Sequence, residues 1–119
     1  TLRSSDPRLV RAADAARADL GRGWSVDALA EVAGMSGGHF ARSFRAATGQ
    51  TPMAWLREQR VARAAVLLRQ SSRTASEIAY AVGFSSSARL SEAFRRSRGT
   101  TPSRWRVDGR ARWAPPDAE

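Results

Sequence analysis

This chain of 119 residues has no cysteine and no lysine, and only one histidine and one tyrosine. Without cysteine, disulfides, thiol chemistry and cysteine-based zinc sites are excluded. A single imidazole, His39, rules out a histidine-rich metal site, and nothing around it supports a serine–histidine pair. There is no glycine-rich phosphate loop and no nucleophile beside a base, so an enzyme is not expected, and neither is a metal or a cofactor. No apolar run approaches the roughly 20 residues that cross a bilayer, and no signal peptide is visible; a membrane partner is not expected, and a reducing cytoplasm is the natural compartment.

Positive charge, by contrast, is abundant. The formal net charge is +9 and the sequence pI about 11.7, which points to a polyanionic partner. All 20 basic residues are arginine. Arginine suits bidentate contacts to phosphate and guanine, but GC-rich coding gives the same bias. With 42% hydrophobic residues the chain can build a core, although each half of it would be small.

Prolines and glycines punctuate a pattern that is otherwise helical. Asp6-Pro7 reads as a cap and first helical position, followed by Leu9, Val10, Ala13, Ala16 and Leu20 at helical spacing and a stop at Gly21 or Gly23. Ser25 caps a short helix from Val26 to Ala33, Gly34-Met35-Ser36 forms a tight turn, and a third helix reaches about Ala47 and ends at Gly49. Thr51-Pro52 opens a long helix to about Gln70, with Leu56, Ala64, Leu67 and Leu68 as its buried stripe. Thr74 to Glu77 is a capping-box pattern and starts a helix ending near Val82. Gly83-Phe84-Ser85 then turns into a helix ending at Gly99, and Thr101-Pro102 caps a last short helix containing Trp105. The prediction is an all-α fold of about seven helices.

The chain also says something twice. Residues 29–55 (LAEVAGMSGGHFARSFRAATGQTPMAW) are echoed by residues 78–105 (IAYAVGFSSSARLSEAFRRSRGTTPSRW). Ala30 and Gly34 match Ala79 and Gly83 at an offset of 49; Phe44, Gly49, Pro52 and Trp55 match Phe94, Gly99, Pro102 and Trp105 at 50. One extra residue is therefore expected early in the later helix of the second copy. Each copy carries the marks of a helix-turn-helix. The alanine lets two helices approach closely, and the glycine four residues on supplies the left-handed conformation of a sharp turn. Met35 and Phe84 can plug the turn, and Ser36 and Ser85 can cap the next helix. Phe40 with Phe44, and Leu90 with Phe94, bury its inner face.

These residues resemble the AraC/XylS-type regulators, which carry a double helix-turn-helix over about a hundred residues. The likeness runs from Asp6 to about Val107. It is most specific at Glu77-Ile78-Ala79, Val82-Gly83-Phe84, Phe94-Arg95-Arg96 and Gly99-Thr100-Thr101-Pro102-Ser103, with Trp55-Leu56, Arg60, Ala64 and Leu67-Leu68 in the linker helix. It implies sequence-specific double-stranded DNA binding at promoters in a bacterial transcription regulator, usually an activator that touches RNA polymerase. It also implies an N-terminal effector or dimerisation domain through which a homodimer forms. The chain begins at Thr1, so the expectation is a piece of such a regulator. The expected layout is a linker over residues 1–5, a DNA-binding domain over 6–109 and a disordered tail over 110–119. Within the domain, one helix-turn-helix covers about 7–49, a linker helix about 52–70 and a second helix-turn-helix about 74–109. A helix over residues 53–70 spans roughly 27 Å at 1.5 Å per residue, enough for two recognition helices about one DNA turn apart in successive major grooves.

With Phe40 and Phe44 inward, the exposed early positions of the first recognition helix are Gly38, Ala41, Arg42 and Arg45. The resemblance gives Arg42 a base contact, and its guanidinium can pair with guanine O6 and N7. Gly38 and Ala41 are smaller than the family's usual readers. In the second recognition helix Ser87, Ala88, Ser91 and Glu92 face outward. Glu92 stands where many relatives have arginine; it either accepts from cytosine N4 or pairs with Arg89 or Arg96 and lowers affinity. Ser36, His39, Arg45, Ser85, Ser86, Arg89, Arg95 and Arg96 are the expected phosphate contacts, which position the domain without reading sequence. The alternative is a helix-turn-helix module with weak or non-specific DNA binding that mainly docks on RNA polymerase or another protein. RNA binding would need exposed aromatics, for which Trp24 and Trp113 are the only candidates.

Overall fold

A computed structural model describes residues 6–112. Its seven α-helices are α1 (Pro7–Ala18), α2 (Val26–Ala33), α3 (Gly37–Thr48), α4 (Pro52–Gln70), α5 (Ala75–Val82), α6 (Ser87–Arg98) and α7 (Pro102–Arg112). No strand occurs among the described residues. The fold is thus all-α, with two helix-turn-helix subdomains joined by the long α4.

The chain divides into two compact units, and the division falls between Gln59 and Arg60, inside α4. The first unit buries Leu9, Ala12, Ala13 and Ala16 of α1, Leu29, Ala30 and Ala33 of α2, Phe40 and Phe44 of α3, and Trp55 and Leu56 of α4. The second buries Val61, Ala64, Ala65 and Leu68 of α4, Ile78, Ala79 and Val82 of α5, and Leu90, Ala93 and Phe94 of α6, with Trp105 of α7 packed against them. Each core thus takes i, i+3, i+4 and i+7 from its first helix, the spacing of one helical face. The repeat therefore extends further than its sequence signal: α1 and the second half of α4 do the same job at an offset of 52. Residues 57–60, none of them buried, separate the two apolar stretches of α4.

Both cores are closed by an aromatic pair. Phe44 meets Trp55 edge-on at 5.4 Å between ring centres, and Phe94 meets Trp105 at 5.6 Å. Such pairs contribute about 0.5–1.5 kcal/mol beyond the area they bury. An arginine covers each indole, Arg17 over Trp55 at 5.1 Å and Arg69 over Trp105 at 3.7 Å. The polar ends differ. Trp105 Nε1 donates to Ala65 O at 3.0 Å, whereas Trp55 Nε1 is buried without a hydrogen-bond partner. Arg106 adds bonds to Leu68 O (2.8 Å) and Arg73 O (2.6 Å), satisfying backbone acceptors at and just beyond the C-terminal end of α4.

Four expectations need correction. α1 stops at Ala18, before either glycine: Asp19 leaves helical geometry, and its carbonyl accepts from Arg22 N and from Trp24 Nε1. The extra residue of the second copy lies in the turn, because α3 and α6 both have 12 residues and end on the matching glycines. In consequence Ser86, not Ser85, caps α6. Lastly, α7 is not short; it runs to Arg112, three residues into the stretch expected to be a disordered tail, where Arg110, Ala111 and Arg112 are all good helix formers. Residues 1–5, expected as a linker, and 113–119, including Trp113, lie outside the described residues.

Candidate nucleic-acid interface

The turns that present α3 and α6 have the same backbone chemistry. Gly34 (φ 68°) and Gly83 (φ 104°) take the left-handed conformation that other residues adopt only at a cost. Met35 N donates to Ala30 O at 2.9 Å, and Phe84 N to Ala79 O at 2.8 Å, closing each helix end with the same wrapped-back bond. Met35 and Phe84 then pack against their cores, as the sequence predicts.

The caps orient the recognition helices. Ser36 Oγ accepts from His39 N at 3.2 Å, and Ser86 Oγ from Arg89 N at 3.1 Å. Each hydroxyl keeps its proton to donate to an incoming oxygen. Ser85 stays exposed in the longer turn.

On α3, Phe40 and Phe44 face inward. Gly38, His39, Arg42 and Arg45 are exposed and Ala41 is half-buried. On α6, Ala88, Arg89, Glu92, Arg95 and Arg96 are exposed, and Ser87 and Ser91 are half-buried. Ala88, Ser91, Glu92, Arg95 and Arg96 line one shallow depression. Among the described residues Glu92 forms no ion pair with Arg89 or Arg96. Arg42 is equally unpaired.

The shift from an offset of 49 to one of 50 occurs in the turn, so the two recognition helices superimpose residue for residue: Gly38 with Ala88, Ala41 with Ser91, Arg42 with Glu92, Arg45 with Arg95. A second depression was missed by the sequence reading. It is lined by Arg95, Gly99, Thr100, Thr101 and Arg104, at the start of α7, where Thr101 Oγ accepts from Arg104 N at 3.1 Å. The signal was the Gly-x-Thr-Pro exit, read only as a helix start. Trp24, a stacking candidate for RNA, is buried and its Nε1 donates to Asp19 O at 2.8 Å. Arg60 is partly buried on α4, and desolvation lowers its pKa from the usual arginine value.

Two helix-turn-helix units with outward-facing arginines define a class, the two-headed helix-turn-helix regulatory domains. Comparison with known proteins narrows it. A family model described as a helix-turn-helix domain matches residues 29–108. The DNA-binding domain of AdpA, a global transcriptional factor solved in complex with a target DNA, shares 38% identity, with a TM-score of 0.85 over 88% of this chain and 95% of that one. A transcriptional regulator with an AraC-type DNA-binding domain, from Chromobacterium violaceum, shares 30% identity, with a TM-score of 0.84 over 92% of this chain and 97% of that one. The HTH-type transcriptional regulator AlkR of Acinetobacter baylyi is 35% identical over 100 residues, 84% of this chain and 33% of AlkR. The chain belongs to the AraC-type helix-turn-helix DNA-binding domains, a regulatory fold and not a catalytic one. It spans about a third of the length of the curated relatives it matches.

Proposed function

We propose that this chain is the DNA-reading part of a bacterial transcription regulator, binding promoter sequences in double-stranded DNA with α3 and α6 each in a major groove. The observation that carries this is the two-fold presentation of a capped, glycine-turned helix whose inner face is buried and whose outer face carries exposed polar side chains. The AdpA domain bound to its target DNA, similar over nearly the whole chain, supports the same reading.

In this reading Arg42, Gly38 and Ala41 of α3, and Ser87, Ala88, Ser91 and Glu92 of α6, meet base edges. Ser36, His39, Arg45, Ser85, Ser86, Arg89, Arg95 and Arg96 hold phosphates. The functional domain covers residues 6–109. RNA polymerase is the protein partner, a homodimer forms through a further domain of the whole regulator, and the site of action is the nucleoid in the cytoplasm.

Selection of bound sequences from a random double-stranded DNA pool at moderate salt tests it. Two short enriched motifs are the expected result, and affinity should fall steeply with salt as counterions are released. Arg42→Ala should weaken binding to the preferred site by about 1–3 kcal/mol and relax one base position. Binding without enrichment would overturn sequence-specific reading in favour of a module that docks on polymerase.

A further inference from the structure

Glycine at position 38 has no backbone reason to be there. The glycines at positive φ are Gly34, Gly49, Gly83 and Gly99. Gly38 lies in ordinary helix in the first turn of α3, exposed, where glycine weakens a helix relative to alanine. What it supplies is room. A Cβ built on Gly38 would lie 3.2 Å from Arg42 Nη1, tighter than carbon and nitrogen normally sit, and in ordinary contact with its Cζ at 4.0 Å. Long side chains on a helix lie back over the preceding turn, and positions four apart are surface neighbours. The Arg42 guanidinium therefore occupies the volume that a side chain at 38 would fill. The matching pair on α6 is Ala88 and Glu92, where a methyl takes that space.

We infer that Gly38 is a positioning residue for base recognition, a bare seat that lets Arg42 lie flat along the first turn and deliver its donors at the tip of the recognition helix. The specificity of the first head then belongs to the 38/42 pair and not to Arg42 alone. This rests on the reading of Arg42 as a base contact. An added methyl makes the guanidinium give by a few tenths of an ångström and so shifts the direction of its hydrogen bonds. A base-edge contact carries that change into sequence discrimination, whereas a phosphate contact carries it equally to every sequence.

The test uses the 119-residue chain, its selected DNA site and the same site changed at each base pair. Four proteins are compared: the native chain, Gly38→Ala, Arg42→Ala and the double variant. Arg42→Ala identifies the base pair, through a loss of discrimination there of about 5- to 150-fold. Gly38→Ala should lower discrimination at that same pair by about 2-fold or more, the lower edge of coupling between touching residues. The loss should be concentrated at that pair, with Tm equal or higher. The double variant should be no worse than Arg42→Ala. Gly38→Ser, which adds similar bulk without alanine's helix propensity, should repeat the loss. Full discrimination in both Gly38 variants, with Arg42→Ala impaired, overturns the seat and leaves the Arg42 reading standing. So does an equal loss on every sequence. Intact discrimination in Arg42→Ala overturns the reading of Arg42 itself, and the seat with it.

Discussion

The two heads share a scaffold and differ in what they show. Each uses a left-handed glycine, a sulfur or aromatic plug, a serine cap and an inward pair four residues apart, Phe40 with Phe44 and Leu90 with Phe94. At matching outer positions the chemistry changes sign, with Arg42 on α3 and Glu92 on α6. The later turns differ too: α6 carries Arg95, Arg96 and Arg98 where α3 has Arg45, Ala46 and Thr48. Packing constrains the inner face through volume and leaves the outer face free, so a repeated structure need not carry a repeated code. A two-part DNA site with dissimilar halves is the corollary.

The largest effects should fall where the heads agree. Phe44→Ala and Phe94→Ala each remove a fully buried ring and should each cost about 3–5 kcal/mol; urea denaturation of both variants measures it. Losses differing by more than half would break the equivalence of the two cores. Next comes the sign reversal. Glu92→Arg should raise affinity for all DNA and move the preferred base at one position of the second half-site from cytosine toward guanine, a change of about 1–3 kcal/mol in relative affinity. Selection from a random pool reads it, and an unchanged motif would show that Glu92 faces no base. The indoles offer a smaller contrast. Trp105→Phe loses the bond to Ala65 O, whereas Trp55→Phe removes a buried N–H that has no partner. The first should be more destabilising by about 1–2 kcal/mol, as thermal melts would show; equal losses would mean that the orphan N–H carries no penalty.

The smallest effect is in acid. Each unit holds a carboxylate below its ordinary pKa: the half-buried Asp6, chiefly by its hydrogen bonds with Arg8, and the exposed Glu77, chiefly by the backbone N–H of Thr74, from which it accepts at 2.8 Å. Because both are lower folded than unfolded, their stabilisation is complete above the ordinary carboxylate range and lost as pH falls through the folded values. Denaturation between neutral and strongly acid pH should show a shallow decline. Asp6→Asn and Glu77→Gln should each flatten part of it. Added salt should erase the Asp6 part first, since that pair is a surface ion pair.

Legibility followed the strength of local signals. Caps at Asp6, Ser25, Ser36 and Thr74 and stops at Gly34, Gly83 and Gly99 were readable because hydrogen-bonding side chains and positive φ are local requirements. The end of α1 was not, because a tryptophan five residues on takes the Asp19 carbonyl, a contact that spacing alone does not announce. Ser85 and Ser86 could not be told apart as caps from sequence, since one inserted residue fits either the turn or the helix. The equivalence of α1 with the second half of α4 was hidden because Leu9 stands for Val61 and Ala16 for Leu68, and the two matching alanines between them are too common a residue to mark a repeat. Outer faces were readable as exposed, yet the seat at Gly38 depends on where a side chain lies, which composition does not give.

Eight helical roles are filled by seven helices, because α4 closes one core with Trp55 and Leu56 and opens the next with Val61. The boundary between the units is therefore not a loop. A protease searching for the seam finds residues 57–60 wound into continuous helix and must wait for that helix to melt before it can cut. The chain has removed the usual weak point between two repeats by giving both the same piece of backbone.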